Sequence, residues 1–187
     1  MPPPEAGMSA TLRADAERNR GLVLEAARAV FAEHGLDAGV AEVAERAGVG
    51  VATIFRRFPT KNDLLAALLL ERVEEVVQLA RSAETLREFM TEATALHMQD
   101  RGYSDSVDCE VLERPEIEQG REEARRLVGS LLRRAQRAGD VRDDVTVDDL
   151  TVIVLGLARA APQDGWQRYL EFALDGLKPQ PAPAGSW

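Results

Sequence analysis

The stretch GVGVATIFRRFPTKNDLL, residues 48–65, decides the fold of the N-terminal part of this 187-residue chain. Two glycines precede a short helical segment that ends in two arginines, and a proline directly afterwards stops that helix. Glycine is common directly after a helix, where the backbone adopts the left-handed conformation. Gly48 therefore indicates the end of the preceding helix. The stretch therefore predicts a turn over 48–51, a helix from about Val51 to Phe58, and a long helix that starts near Thr60, with Asp63 at the third position of its first turn.

The segments on both sides of this stretch repeat apolar residues at helical spacing. No segment alternates apolar and polar residues for long enough to predict a strand, so the fold class is all-α. Helix ends are indicated by glycines after apolar faces and by Thr85 with Glu88, a capping pair. Further helices are predicted over about 18–34, 40–47, 115–138, 146–161 and 164–177, with another beginning at Thr85.

Three helices with a four-residue turn between the second and third have the spacing of a helix-turn-helix, whose last helix enters the major groove of DNA. The small residues at the start of that helix allow close approach to the DNA backbone, and its exposed N–H groups favour phosphate. Of the two arginines, one is expected to contact a base edge or phosphate while the other lies on a flank. The predicted DNA-contact residues are Gly50, Val51, Ala52, Thr53, Phe55, Arg56, Arg57 and Lys61.

The charge distribution agrees with a DNA-binding head. The chain has 23 Lys and Arg against 32 Asp and Glu, for a net charge of -9. Residues 1–61 contain eight of each sign, so the whole excess of negative charge lies in the remainder. A neutral head with local cations on an acidic body holds a polyanion at one end and repels it at the other.

Residues 19–65, NRGLVLEAARAVFAEHG...VAEVAERAGVGVATIFRRFPTKNDLL, resemble the DNA-binding head of the TetR family of bacterial transcriptional regulators. The resemblance implies that Thr53, Phe55, Arg57 and Lys61 occupy positions that usually touch DNA. Two residues depart from the family pattern. Phe55 replaces a tyrosine whose hydroxyl reaches a phosphate, and Gly50 stands where many members carry serine or another polar residue. From the residues alone, Phe55 faces either the core or a phosphate.

The C-terminal segments LLRRAQRAGDVRDDVTVDDL, LGLARA and YLEFALDGLKP resemble the C-terminal domain of SbtR-like TetR regulators. The resemblance implies dimerisation through the last two helices and an effector pocket inside this domain. The helix LTVIVLGLARAA is apolar on nearly every side, which independently indicates burial on more than one side. The predicted homodimer interface consists of Ile153, Gly156, Leu157, Leu170 and Leu174.

The effector pocket is predicted from apolar side chains with a few polar groups, the usual composition of a small-molecule site. The same residues are equally compatible with ordinary core packing. Cys109 is the only cysteine, and it is either a redox sensor or, more commonly, an inert buried thiol. Arg18 and Arg20 form either a DNA-contacting arm or a solvated helix start. The predicted pocket residues are Phe89, Met90, Ala93, His97, Tyr103, Leu131 and Trp166.

Other classes of protein are not indicated. No nucleophile, base and orienting group occur together, and the two histidines are far apart, so we predict no enzyme, catalytic residue, cofactor or metal site. The longest apolar runs are too short to span a bilayer, and the N-terminus lacks a secretory signal, which predicts a cytoplasmic protein without a membrane partner.

The predicted organisation is a disordered tail (1–16), a helix-turn-helix DNA-binding domain (17–62), a larger effector-binding and dimerisation domain (63–178) and a second disordered tail (179–187). The predicted function is a TetR-family regulator that binds a palindromic operator in double-stranded DNA as a homodimer and acts as a repressor released by a small-molecule effector. The alternative is a dimeric ligand-binding or adaptor protein with weakened DNA affinity.

Overall fold

The computed structural model describes the backbone of residues 5–99 and 109–179, and the side chains of residues 18–99 and 111–179. Every regular element in these residues is a helix, which confirms the all-α class. The helices are α1 (Glu5–His34), α2 (Val40–Ala47), α3 (Val51–Arg57), α4 (Lys61–Ser82), α5 (Leu86–Met98), α6 (Cys109–Leu112), α7 (Pro115–Ala138), α8 (Val147–Ala160) and α9 (Trp166–Gly176).

The chain divides into two compact units. The first unit comprises Met1–Leu69 and Gly102–Arg114, and the second comprises Leu70–Arg101 and Pro115–Trp187. The division falls inside α4, several residues later than the domain boundary predicted from the sequence. A boundary inside a continuous helix leaves no loop or proline for a sequence pattern to detect.

Helix α1 differs most from its predicted limits, because it begins at Glu5 instead of near residue 18. The segment 5–16 is therefore helical where a disordered tail was predicted. It is rich in alanine and contains no proline, so its intrinsic helix propensity is high. Residues 1–4, the predicted turn over 102–108 and the second tail from 180 onward lie outside the described residues.

The first unit buries one face of each of its first helices in a shared apolar core, with Phe31, Leu64 and Leu68 among its fully buried members. Helix α2 ends at Gly48, whose φ of 66° lies in the left-handed region that favours glycine. Helix α3 ends at Arg57 because Pro59 follows, and the N–H of Phe58 closes the last turn on Ile54 at 2.7 Å. These two stops fix α3 as a short helix between sharp turns.

The second unit forms its own core from α5, α7, α8 and α9. The hydroxyl of Thr146 accepts a hydrogen bond from the N–H of Asp149 at 3.2 Å, and the Asp149 carboxylate accepts one from the N–H of Thr146 at 2.8 Å. At the start of α5, the hydroxyl of Thr85 caps Glu88 as predicted, but the Glu88 carboxylate accepts from Glu84. Each cap satisfies N–H groups that a helix start leaves without a partner.

Candidate nucleic-acid interface

Helix α3 has one buried face and is otherwise open to solvent. Ile54 and Phe58 are 1% and 6% exposed and belong to the core of the first unit. Phe55 is 43% exposed, and both arginines are exposed. Phe55 therefore does not belong to the core, and its contact with a phosphate stays a prediction. The core holds α3 by two side chains and presents the remainder of the helix as a surface.

The turn before α3 needs one of its two glycines for backbone geometry. Gly48 has a positive φ, whereas Gly50 has φ -73° and ψ 143°, an extended conformation that any residue adopts. A Cβ at Gly50 would meet only the hydroxyl of Thr53, at 3.8 Å. The serine that the family resemblance implies at this position would therefore fit, so the departure at Gly50 changes the chemistry of the surface without being required by the fold.

Arg56 and Arg57 lie in different environments. The Nη2 of Arg56 donates to the hydroxyl of Thr53 at 3.1 Å, and its Nε donates to the carbonyl of Ala52 at 3.3 Å. Arg57 makes no hydrogen bond or ion pair with any residue whose side chain the structure describes. Neither arginine is paired with a carboxylate among these residues. Both positive charges are therefore available to an external anion, but only Arg56 is held in place.

Lys61 has a structural role that the local sequence pattern does not predict. Its ammonium donates to the carbonyls of Leu36 and Ala38, the latter at 2.8 Å, and lies 5.5 Å from the ring centroid of Phe31. The side chain is partly buried. Lys61 thus joins the connection between α1 and α2 to the first turn of α4. DNA contact by Lys61 stays a prediction.

An ion pair and a second side-chain contact connect α1 to α2. The Nη1 and Nη2 atoms of Arg46 donate to the two carboxylate oxygens of Glu33 at 2.6 and 2.7 Å, and this contact lowers the pKa of Glu33. The ring of His34 contacts Glu42 at 2.9 Å. The Glu42 carboxylate also accepts from the N–H of Gly39 at 2.8 Å, the main cause of its lowered pKa. These contacts hold the helix that precedes the turn.

A third set of contacts holds the start of α4. The Asp63 carboxylate accepts from the hydroxyl of Thr60 at 2.8 Å and from its N–H at 2.9 Å. Arg114, at the chain end of the first unit, donates to the other Asp63 oxygen at 2.9 Å. The Thr60 hydroxyl, followed by Arg114, lowers the pKa of Asp63. Asp63 therefore caps the start of α4 and also forms an ion pair with Arg114.

The predicted pocket residues are mostly part of the packed core of the second unit. Met90 is fully buried, and Trp166 is 8% exposed. His97 is partly buried, and desolvation with the nearby charge of Arg72 lowers its pKa to about 4, so it is neutral at pH 7. Tyr103 and the side chain of Cys109 lie outside the described residues. The core cluster of the second unit includes Phe89, Met90, Ala93, Leu131 and Trp166.

The second unit also contains a groove of about 800 Å³ that none of the predicted pocket residues line. Its apolar lining is Val73, Val77, Leu79 and Leu96, and glutamates including Glu123 surround it. Helices α4 and α7 approach closely at one end, where a Cβ on Gly120 would lie 2.4 Å from a methyl of Val73. No local sequence pattern indicates this groove, because its lining comes from three helices.

The predicted dimer residues fall on two different faces of the last helices. Leu170 and Leu174 are 1% and 7% exposed, and both belong to the core of the second unit. Ile153 and Leu157 are partly buried against the same core, whereas Gly156 is exposed. The large apolar side chains that stay exposed lie within two sequence positions of the predicted ones. The exposed large apolar residues of these helices are Val152, Leu155, Tyr169 and Phe172.

The sequence places these exposed residues at helical spacing but does not identify the exposed face of α8. Residues 152, 155, 156 and 159 of α8 recur at helical spacing, as do 169, 172 and 176 of α9. Because α8 is apolar on nearly every side, its sequence does not tell which face the protomer buries. On α9, the Tyr169 and Phe172 rings meet edge to face with centroids 6.4 Å apart, and Arg168 lies over Phe172 at 5.3 Å.

Within the described residues, no three His, Cys, Asp or Glu side chains come together as potential metal ligands. The helices found there include none that combines the length and apolar character of a membrane span.

Comparison with known protein families identifies both parts of the chain. Residues 23–68 match the family model for bacterial regulatory proteins of the tetR family, and residues 81–179 match the model for the C-terminal domain of SbtR-like transcriptional regulators. The second model alone covers more than half of the 187 residues.

Solved structures and a curated relative agree with these matches. A TetR transcription regulatory protein from Mycobacterium vanbaalenii is 35% identical, with 90% of this chain and 99% of that chain covered and a TM-score of 0.65. The TetR regulator SCO0520 from Streptomyces coelicolor is 27% identical, with 87% and 99% covered and a TM-score of 0.63. The transcriptional activator FasR of Mycolicibacterium smegmatis is 35% identical over 81 residues, which are 43% of this chain and 37% of FasR.

Proposed function

The chain belongs to the TetR family of transcriptional regulators, and on that premise we propose that it binds a palindromic operator as a homodimer and is released from it by a small molecule. The proposed sign of regulation is repression. FasR is an activator, so the sign needs a test of its own. A regulator of bacterial genes acts in the cytoplasm and performs no chemistry on its ligand.

The observation that carries the proposal is the exposed surface of α3. A helix held by Ile54 and Phe58 presents two arginines, a threonine and small residues to solvent, without a carboxylate partner for either arginine in the described part of the chain. Cations at such a surface supply the phosphate attraction that dominates affinity for DNA. Its position after a turn at Gly48 matches the second helix of a helix-turn-helix.

The apolar face of α8 and α9 supports self-association. Val152 is 70% exposed, and Phe172 is 58% exposed. Large exposed apolar patches mark interaction surfaces in monomeric units. We propose that this face, rather than Leu170 and Leu174, meets the same face of a second copy, as two-fold symmetry requires. The two-fold axis then relates two α3 helices to the two halves of a palindrome.

The groove beside α4 supports the effector part of the proposal. Its apolar lining with polar groups at the edge has the composition of a small-molecule site, and Val73 and Val77 lie on the same helix whose first turn follows α3. A ligand that prefers one position of α4 would shift the population away from the DNA-competent form. This mechanism needs differential affinity for two states and no covalent step.

The proposal is tested by selecting bound sequences from random duplex DNA with the purified protein and titrating the enriched site at several salt concentrations. We expect a palindrome, a protein dimer on it, and a steep fall in affinity with salt. Enrichment of no sequence, with affinity equal on all duplexes, would favour the adaptor alternative. A promoter reporter carrying the site then determines the sign of regulation.

A further inference from the structure

We propose that Arg56 recognises a guanine in each operator half-site, that Thr53 and the carbonyl of Ala52 hold its side chain for that contact, and that Arg57 contacts phosphate. This inference rests on the proposed function and assigns the two arginines different tasks. Family resemblance alone points to Arg57, so the proposal departs from the position that the resemblance favours.

The position of each arginine around α3 supports this assignment. Successive residues of an α-helix are separated by about 100°. Arg56 therefore lies about 160° from each of the two buried anchors, Ile54 and Phe58, and faces directly away from the core. Arg57 lies only about 60° from Ile54, on the side of the helix. In a helix-turn-helix, the second helix lies in the major groove with its N-terminal residues at the base edges. The hydrogen bonds of Arg56 hold its guanidinium beside Ala52 and Thr53, in the first turn of α3.

Neighbouring residues on the same face agree with this orientation. Ala52 and Thr53 lie about 40° and 60° from Arg56, so the three residues form one strip along the outward face. Ala52 is exposed and short, and it leaves room for a base edge beside the guanidinium. Phe55, 43% exposed, lies on the opposite flank from Arg57, about 60° from Phe58.

The hydrogen bonds of the Arg56 guanidinium also support this assignment. Its Nε and Nη2 donate to the carbonyl of Ala52 at 3.3 Å and to the hydroxyl of Thr53 at 3.1 Å. These two nitrogens form one donor edge of the planar guanidinium, the edge that faces the helix. The outer edge, made by Nη1 and the second N–H of Nη2, keeps the parallel pair of donors that matches O6 and N7 of guanine.

The hydrogen bonds also reduce the entropic cost of the contact. An arginine side chain loses much rotamer freedom when it binds, and a side chain already held on its own helix loses less. Arg57 has no such contact in the described residues, and a mobile cation is sufficient for a phosphate, which carries no sequence information. The arrangement thus separates base recognition from phosphate attraction.

The experiment uses the operator selected with the full-length protein and replaces each guanine in turn with 7-deazaguanine, which lacks the N7 acceptor. For the wild-type protein, 7-deazaguanine at one pair of symmetry-related positions should reduce the affinity about tenfold or more. This loss lies within the range of about 5- to 150-fold for a bidentate contact. Arg56→Ala should bind more weakly and become insensitive to deazaguanine at that position, while its sensitivity elsewhere stays unchanged.

Two further variants separate charge from geometry. Arg56→Lys keeps the charge but loses the planar fork, so it should weaken the guanine preference and retain most of the salt dependence. Arg57→Ala should keep the wild-type sensitivity to deazaguanine, bind all sequences more weakly, and show a salt slope reduced by about one for each half-site. Thr53→Val removes the hydroxyl acceptor and should reduce the guanine preference by a smaller factor than Arg56→Ala.

Each remaining outcome contradicts the inference. A selected half-site without guanine, or loss of deazaguanine sensitivity in Arg57→Ala but not in Arg56→Ala, would overturn it and leave the proposed function intact. Enrichment of no site by the wild-type protein would overturn both. Circular dichroism of each variant should show that the substitutions at Thr53, Arg56 and Arg57 leave the helices folded.

Discussion

The two units of this chain bear their proposed functional surfaces in different ways. In the first unit, the candidate contacts come from residues 50–61, and two buried anchors decide which of them face outward. In the second unit, the groove and the apolar face combine side chains from α4, α5, α7, α8 and α9. A surface on one short helix follows from local spacing, whereas a surface built by several helices depends on how they pack.

The largest expected effect tests the assignment of faces on α9. Leu170→Ala empties a fully buried site and should lower the free energy of unfolding by about 2 to 5 kcal/mol. Phe172→Ala should instead weaken self-association, with the helix content of the protein retained. Urea unfolding and sedimentation of both variants give the comparison. Equal loss of stability in the two variants, independent of protein concentration, would show that both faces of α9 pack within one protomer.

A second prediction concerns His97, a partly buried titratable group of the second unit. Burial, with the charge of Arg72, lowers the pKa of His97 to about 4, so the unfolded chain binds the proton more tightly. Stability is therefore fully present above pH 6.5 and falls as the pH drops toward 4, by on the order of 3 kcal/mol.

The measurement is the unfolding free energy against pH in a His34→Gln background, where His97 is the only histidine. Adding His97→Gln should remove the loss over this interval. A slope that persists in the double variant would place its origin in other groups.

A third prediction separates structure from contact in the first unit. Lys61→Met leaves the carbonyls of Leu36 and Ala38 without their charged donor and should cost about 1 to 3 kcal/mol of stability. Arg57→Gln, the matched control without partners in the described residues, should change stability by less than about 0.5 kcal/mol. If Lys61→Met retains full stability but loses DNA affinity, Lys61 contacts DNA as the family resemblance implies.

The smallest expected effect compares the helix starts of the two units. Asp63 and Asp149 each accept from a threonine cap, and the hydrogen bond with that threonine is the main cause of the lowered pKa of each. Their stabilising effect is present above the unfolded pKa of about 3.9 and is lost as the pH falls through the folded pKa.

Melting temperatures of Asp63→Asn and Asp149→Asn should therefore approach that of the wild-type protein as the pH is lowered toward about 3. Asp63→Asn should show the greater difference at neutral pH, because only Asp63 also binds Arg114 directly. An Asp63→Asn effect no greater than that of Asp149→Asn would contradict a stabilising role for Arg114.

The sequence by itself determined the helical class, the short helix between Gly48 and Pro59, and most helix ends, since glycine, proline and threonine caps act on a few adjacent residues. It also determined the family. Those features depend on backbone conformation and hydrogen bonds over one or two turns, so the order of the residues is enough.

Only the tertiary structure decided which side of a helix faces a partner. It distinguished Arg56 from Arg57 through the burial of Ile54 and Phe58, and it assigned Leu170 to the core while Phe172 stayed exposed. It also engaged Lys61 with carbonyls more than twenty positions away in the chain. The physical reason is that burial is a property of neighbours distant in sequence, and an apolar residue on a helix has the same local pattern whichever neighbour covers it.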